Sequence, residues 1–282
     1  MSNTVTAIVT DSTADIPPEI LTRLNISSVP AIIIINGKDY EDGKGISRNV
    51  FYERLPGYSP LPTTSTPSIN AFREVYKSLF LSGYRNIISI HVSSLLSGIF
   101  NTAHTAAKFF GDQVKVVDSE QISLGLGFQV ISAAQSAQKG ISVKDILSQL
   151  AELRTRIKVY AMLDTLEFLR KSGRVSWAQA RIGSMLKIKP LIELRKGIVI
   201  NAGQSRTRKK GISNLKSTLL KLGPIEKLAV MHSNAETDAF DFVAAFPNAG
   251  SLSPIVVNVT TIIGTHVGPN GLGFAAVLKN SD

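Results

Sequence analysis

Short apolar, β-branched runs at 5–9, 29–35, 87–92 and 114–117, each bounded by turn residues, read as buried parallel strands. Between them, 18–24, 50–55, 69–81, 99–110 and 126–138 space their apolar residues for one buried helical face each. Strands alternating with helices imply a twisted, mainly parallel sheet. GISVKDILSQLAELRTR adds a helix capped by Ser142, with Asp145 three positions on, and closes this part of the chain. Beyond about residue 158 the pattern changes. Residues 158–163 read as a strand, and 188–194 with 198–202 as a hairpin turning at Arg195, Lys196 and Gly197. Further strands at 228–232, 255–259 and 274–278 interleave with helices near 207–222 and 237–246. The expected fold is α/β in two domains, 1–157 with a mainly parallel sheet and 158–282 with a mixed sheet of antiparallel character. No repeat or flexible linker separates them, so a ligand cleft at their interface is the expectation.

Composition narrows the function classes. With 44% hydrophobic and 18% charged residues, the 282-residue chain has the apolar content of a large core. The absence of cysteine excludes disulfides, thiolate nucleophiles and sulfur-ligated zinc. No apolar run approaches a membrane span, and MSNTVTAIVTDSTADIPPE meets acid and proline before a signal-peptide core, which points to a soluble, cytoplasmic protein without membrane insertion. The net charge of +10 is concentrated: residues 151–222 hold 17 Lys and Arg against 4 Asp and Glu, and the rest of the chain 14 against 17. Such a segment is either a solvated face or a surface for an acidic protein, a phosphorylated ligand, an anionic membrane or nucleic acid. Aromatic residues do not interleave with the charges, and no helix-turn-helix, zinc-finger or RRM signature is present, so nucleic acid is not expected.

Four strand ends in the first half finish in hydroxyl or acidic residues: Asp11-Ser12-Thr13, Thr63 to Ser68, Ser93-Ser94 through Ser97-Gly98, and Asp118-Ser119. Open α/β sheets bind ligands at such ends, and hydroxyls with helix N-termini form an anion site without a formal positive charge. Helix capping alone explains any one of these residues, Thr66 before Pro67 and Ser97 before Gly98 being good starts. The usual enzyme signatures are missing: there is no G-x-S-x-G, H-E-x-x-H or G-x-x-x-x-G-K-[ST]. Gly125 and Gly127 lack the third glycine of a dinucleotide fingerprint and mark a close-packed helix start. His91 falls in an apolar strand, His104 on a helix and His232 at a strand end. His266 stands in the glycine-dense segment from Gly264 to Gly271, read as a loop where an imidazole either braces the backbone or meets an anion.

VTDSTADIPPE, TTSTPS, SSLLSG, VVDS, LEFLRKSGRVS, IKPLI and THVGPNGLG together resemble, in order and spacing, the bacterial DegV family. That resemblance implies two α/β domains around an apolar tunnel for a long-chain fatty acid. It further implies a partner ATP-dependent kinase that phosphorylates the carboxylate, the acyl phosphate then serving phospholipid synthesis. By the same resemblance Thr64, Ser65, Ser94, Ser97 and His266 bind the carboxylate, Arg174 and Arg206 dock the kinase, and the chain needs no cofactor and is not catalytic alone. Thr66, Ile99, Phe100 and Ser172 depart from the family's usual glutamine, threonine, tyrosine and glycine. An alternative reading of the same residues is a small-molecule hydrolase or transferase using Ser94 or Ser97 with His266, oriented by Asp11 or Asp118. A basic regulatory binding protein is the other.

Overall fold

In the first half of the chain the β-branched runs become buried parallel strands. A computed structural model describes residues 5–175, 188–247 and 253–280. Packing divides the chain into one unit of Met1–Ile32 with Ser65–Thr155 and another of Ile33–Thr64 with Arg156–Asp282. A single boundary at 157 therefore misses residues 33–64, which pack with the later part. The expected 29–35 strand is two strands, because Pro30 has no N–H to donate to a ladder. Ile26–Val29 (β2) pairs in the first unit, and Ile32–Ile35 (β3) in another sheet.

Among the described residues the first unit's sheet has the order β2-β1-β6-β7, with β1 Thr6–Asp11, β6 Asn86–His91 and β7 Val114–Asp118, all parallel. Helices α1 Pro18–Leu24, α3 Ile69–Leu81, α4 Ile99–Ala107, α5 Leu124–Gln138 and α6 Val143–Arg156 connect and cover it. The N-cap of α6 is as expected: Ser142 Oγ accepts from the Asp145 N–H at 3.2 Å and donates to its carboxylate at 2.6 Å. α5 is buried along most of its length, and a Cβ on Gly127 would meet the Ala14 carbonyl at 2.9 Å, so only glycine admits that approach.

In the second unit β8 Ile157–Met162, β9 Lys189–Arg195, β10 Ile198–Ser205, β11 Ile225–His232, β12 Ile255–Asn258 and β13 Leu272–Leu278 form a sheet of order β10-β9-β8-β13-β11-β12. Every pairing is antiparallel except β11 with β12. The β9–β10 hairpin turns on Lys196 and Gly197, both at positive φ, as a two-residue turn requires. Arg195 is not part of that turn. It ends β9 opposite Ile198, its guanidinium paired with Glu193. A small sheet of β4 Lys38–Glu41, β3 and β5 Thr63–Ser65 went unseen in the sequence, as did α7 Glu167–Ser172 and α10 Thr261–Val267. The remaining helices of this unit are α2 Arg48–Arg54, α8 Arg208–Lys221 and α9 Glu236–Ala244. Met162, Leu215, Leu219, Val230, Phe242 and Phe274 form the core beneath α8 and α9. Among the described residues no helix is long and apolar enough to cross a membrane.

Phe274 is fully buried and lies 5.6 Å from the Tyr160 ring and 6.1 Å from that of Phe242. Phe274→Ala is expected to lower stability by about 3–5 kcal/mol, read from urea unfolding, because neighbours fixed in a sheet cannot collapse into the cavity.

Candidate functional site

In the order β2-β1-β6-β7 the chain reverses its direction of growth between β1 and β6, and ligands of such sheets bind beyond the carboxyl ends at that point. Asp11 ends β1, and His91 ends β6 opposite Asp118. Asp11 Oδ2 accepts from the Val92 N–H at 3.2 Å and meets His91 Nδ1 at 2.9 Å. Asp11 Oδ1 receives both the N–H and the hydroxyl of Thr13. His91 Nε2 lies 2.6 Å from Ser89 Oγ, which accepts from the Tyr76 hydroxyl at 2.8 Å. Burial pushes the Tyr76 phenol above its ordinary range, the Ser89 bond opposing this only in part, so Tyr76 remains a donor. Asp11, His91, Ser89 and Tyr76 are all inaccessible to solvent. Their order matches a hydrolytic triad, yet no substrate reaches it, so the chain of bonds is a brace.

That brace fixes the start of the serine segment, and Asp118 fixes its middle, accepting from the Ser94 N–H at 3.2 Å and the Glu120 N–H at 2.9 Å. Ser93 N–H donates to the Gln121 carbonyl at 2.9 Å, and Ser97 N–H to the Ser93 carbonyl at 3.1 Å. Ser94 and Ser97 are half-buried. Ser97 Oγ accepts from the Ile99 N–H at 3.3 Å, so it does serve the start of α4. The expected helix start at Thr66-Pro67 is displaced: Ser68 caps α3 through the Ala71 N–H at 3.1 Å. Thr66 and Ser65 are thereby released from capping. The Thr66 methyl lies against Gly98, where a Cβ would meet it at 3.3 Å, so the two hydroxyl segments adjoin within this unit.

In the second unit His266 lies in the last turn of a helix and not in a loop. Thr260 caps α10, Thr261 Oγ1 donates to Asp42 at 2.9 Å, and Gly264 rests on Tyr52, two of whose ring carbons a Cβ would meet at 2.7 Å. Tyr52 in turn donates to the Val259 carbonyl at 3.1 Å. Gly268, at φ +76°, ends the helix against Phe168, with no room for a side chain. The glycines that suggested a loop are there because this short helix is packed tightly on two aromatic rings. Thr64 Oγ1 in β5 lies 3.0 Å from His266 Nε2. His266 Nδ1 is buried and has no partner among the described residues. Burial, and secondarily the nearby Arg174 guanidinium, lower the His266 pKa to about 4, so the ring is neutral at ordinary pH. Arg174 follows α7, exposed, with Nη1 donating to the Ser172 carbonyl at 2.7 Å. Arg206 is exposed and has no hydrogen bond or ion pair among the described residues.

Asp11 and Asp118 are thus bonded to groups of their own unit, and among the described residues no carboxylate bonds His266 Nδ1, the place the third member of a serine–histidine–acid triad takes. Among the described residues no cluster of His, Asp and Glu is suited to a metal ion. The family model described as an uncharacterised protein of the DegV family matches residues 5–279. The chain belongs to the DegV family. Protein DegV of Bacillus subtilis is 35% identical over 97% of this chain and 99% of its own length. A solved DegV-family structure from Thermus thermophilus, reported for its fatty acid binding, superposes with a TM-score of 0.90 at 31% identity, covering 97% of this chain and 99% of that one. The solved Bacillus subtilis DegV, a fatty acid binding protein, gives 0.84 at 33% identity with the same coverage. DegV-family membership carries the α/β architecture seen here. Sequence reasoning missed the Asp11–His91 brace and the seat of α10 on Tyr52, since no motif reports that side chains distant in sequence will pair.

Because His266 titrates at about 4 in the fold against an ordinary 6.5, the unfolded chain takes the proton first as pH falls. Its contribution to stability is whole above about pH 6.5 and is lost progressively towards pH 4. A His266→Gln variant is expected to lose less stability than the wild type across that interval; equal losses in urea unfolding would contradict the lowered pKa.

Proposed function

We propose that this protein binds a long-chain fatty acid in an apolar tunnel and presents the carboxylate, in the cytoplasm, to a separate ATP-dependent kinase. The resulting acyl phosphate serves phospholipid synthesis. Membership of the DegV family and the likeness to fatty-acid-binding relatives support the ligand class. The observation that carries the reading is the Thr64–His266 pair. A buried N–H without an acceptor is rarer than an idle lone pair, so the unpartnered Nδ1 is best taken as unprotonated. Nε2–H then donates to Thr64 Oγ1, and the threonine hydroxyl is free to donate to a carboxylate. Ser65 follows it in the chain, and Ser94 and Ser97 are the further proposed ligands.

The energetics fit a binder. Each buried methylene contributes about 0.8 kcal/mol, so a tail of some fifteen carbons offers on the order of 12 kcal/mol before ordering costs. Taking a carboxylate out of water is costly, and hydroxyl donors offset that cost. They also leave an oxygen able to attack the terminal phosphorus of ATP held by the kinase, ADP departing as the new O–P bond forms. A lysine pair in the same place would hold the ground state more tightly and oppose that step.

Mass spectrometry of the purified protein, native and then denatured, is expected to reveal one fatty acid of about sixteen to eighteen carbons per chain. A protein that carries none and takes up none refutes the reading. Thr64→Val is expected to weaken fatty acid binding by roughly tenfold while leaving the alcohol of the same chain nearly unaffected.

Arg174 and Arg206 are the proposed kinase-docking residues. With ATP alone, hydroxylamine is expected to trap no acyl hydroxamate; with the partner kinase it traps one. Arg174→Glu or Arg206→Glu is expected to slow that reaction by roughly tenfold or more at limiting kinase, and an unchanged rate would remove the residue from the docking surface.

A further inference from the structure

Arg208 stands apart from the other cations around the start of α8. Arg206, Lys209 and Lys210 are exposed, whereas the Arg208 side chain keeps 29% of its surface and directs its donors inward. Its Nε donates to Asp238 Oδ2 at 2.8 Å, and Nη2 reaches the same oxygen. Nη1 donates to the Asn270 carbonyl at 2.5 Å and lies 3.6 Å from Asp164 Oδ1. Asp164 is held in turn by Lys189 Nζ at 2.6 Å. Asp238 sits in the first turn of α9, where a carboxylate also complements the helix dipole. The guanidinium is therefore oriented from its carboxylate side before it meets the carbonyl.

Asn270 belongs to the turn that leaves α10. The turn is bonded on one side to Ser233: Asn270 N–H donates to the Ser233 carbonyl at 2.6 Å, Gly271 N–H to Ser233 Oγ at 2.7 Å, and Ser233 N–H to the Gly271 carbonyl at 3.0 Å. Asn270 is at φ +62°, a conformation that costs a side-chain-bearing residue on the order of 1 kcal/mol and persists where surrounding bonds impose it. Gly268 N–H donates back to the Gly264 carbonyl at 2.8 Å, closing the helical turn that carries His266. The Asn270 carbonyl takes no part in the Ser233 bonds and is held by Arg208 Nη1.

We propose that Arg208 is a positioning residue for His266: by tying the Asn270 carbonyl to Asp238 it fixes the exit of α10, and so the aim of the imidazole at Thr64. The effect on ligand binding rests on the carboxylate reading above; the effect on the ring does not. Arginine is required because its planar fork serves a carboxylate and a carbonyl at once, which a single ammonium cannot do with the same geometry.

The test compares Arg208→Met and Arg208→Lys with the wild type by three measurements: thermal unfolding, the nitrogen resonances of the His266 ring, and affinity for a long-chain fatty acid and its matching alcohol. Arg208→Met is expected to shift the ring resonances and weaken the acid about tenfold, the alcohol far less. Arg208→Lys restores the resonances only in part. A folded Arg208→Met with wild-type resonances overturns the proposal, as does an equal loss of acid and alcohol binding with the ring signals unmoved. Should Arg208→Met fail to fold, Asp238→Asn loosens the same guanidinium: shifted ring resonances support the proposal and wild-type ones overturn it. If the wild type binds no fatty acid, the ligand reading falls while the ring resonances still decide the role of Arg208.

Discussion

The hydrogen bond between Thr64 and His266 joins residues 202 positions apart, and its requirements explain most of the structure around it. A buried imidazole stays neutral and needs a fixed partner on at least one nitrogen. Keeping the ring on that partner demands that the seven-residue helix carrying it, too short to be stable alone, be held rigidly by its surroundings. The chain meets this demand with close packing as well as with the bonds at the two ends of the helix. Gly264 lets α10 settle on Tyr52, and Gly268 lets the following turn settle on Phe168. Val267 packs beside Leu163, Leu166 and Leu169. The glycines are the means by which the helix and the turn after it rest on two aromatic rings.

The first unit reaches rigidity differently. Its hydroxyl-bearing segments leave the ends of parallel strands, where backbone groups lose their ladder partners and must find others. Asp11 supplies acceptors for Val92 and Thr13, and Asp118 for Ser94 and Glu120. His91, Ser89 and Tyr76 complete the bonding of Asp11 inside a solvent-free layer. A buried polar chain of this kind is costly unless every member is satisfied. Here the satisfied members fix the backbone at the start of the serine segment, through the N–H groups of Val92 and Ser94.

Fold class was legible because strands and helices announce themselves by different periods, and β1, β6, β7, α1, α3 and α6 fall within a residue or two of their patterns. What escaped did so for physical reasons. β4, KDYE, is exposed and polar, so no apolar alternation marks it. α10 is nearly all buried and carries a glycine in its middle, so it offers neither an amphipathic stripe nor a favourable propensity. Pro30 breaks the 29–35 run because it has no N–H to donate, a break that the isoleucines after it mask in the apolar pattern. Of the site, residue types were legible and pairings were not: Asp11 was a candidate partner for His266, and it is bonded to His91.

The basic segment shows why charge counting alone misplaces a surface. Its excess over acid is large in sequence, yet a good part of its cations are consumed internally. Arg156 pairs with Glu226, Lys189 with Asp164, Arg195 with Glu193 and Arg208 with Asp238. Arg195 and Glu193 lie in the same strand, whereas the other three pairs join separate segments of the chain; each is at least partly screened by solvent, so its value lies in geometry more than in energy. Among the described residues of the segment, the cations left exposed and outside these pairs include Arg170, Arg174, Lys196, Arg206, Lys209, Lys210 and Lys221. Placing three of these within one helix start, against the preference of the helix dipole, costs some stability on its own. The inward-turned Arg208 among them bonds instead to the Asn270 carbonyl, in the turn that leaves the helix of His266.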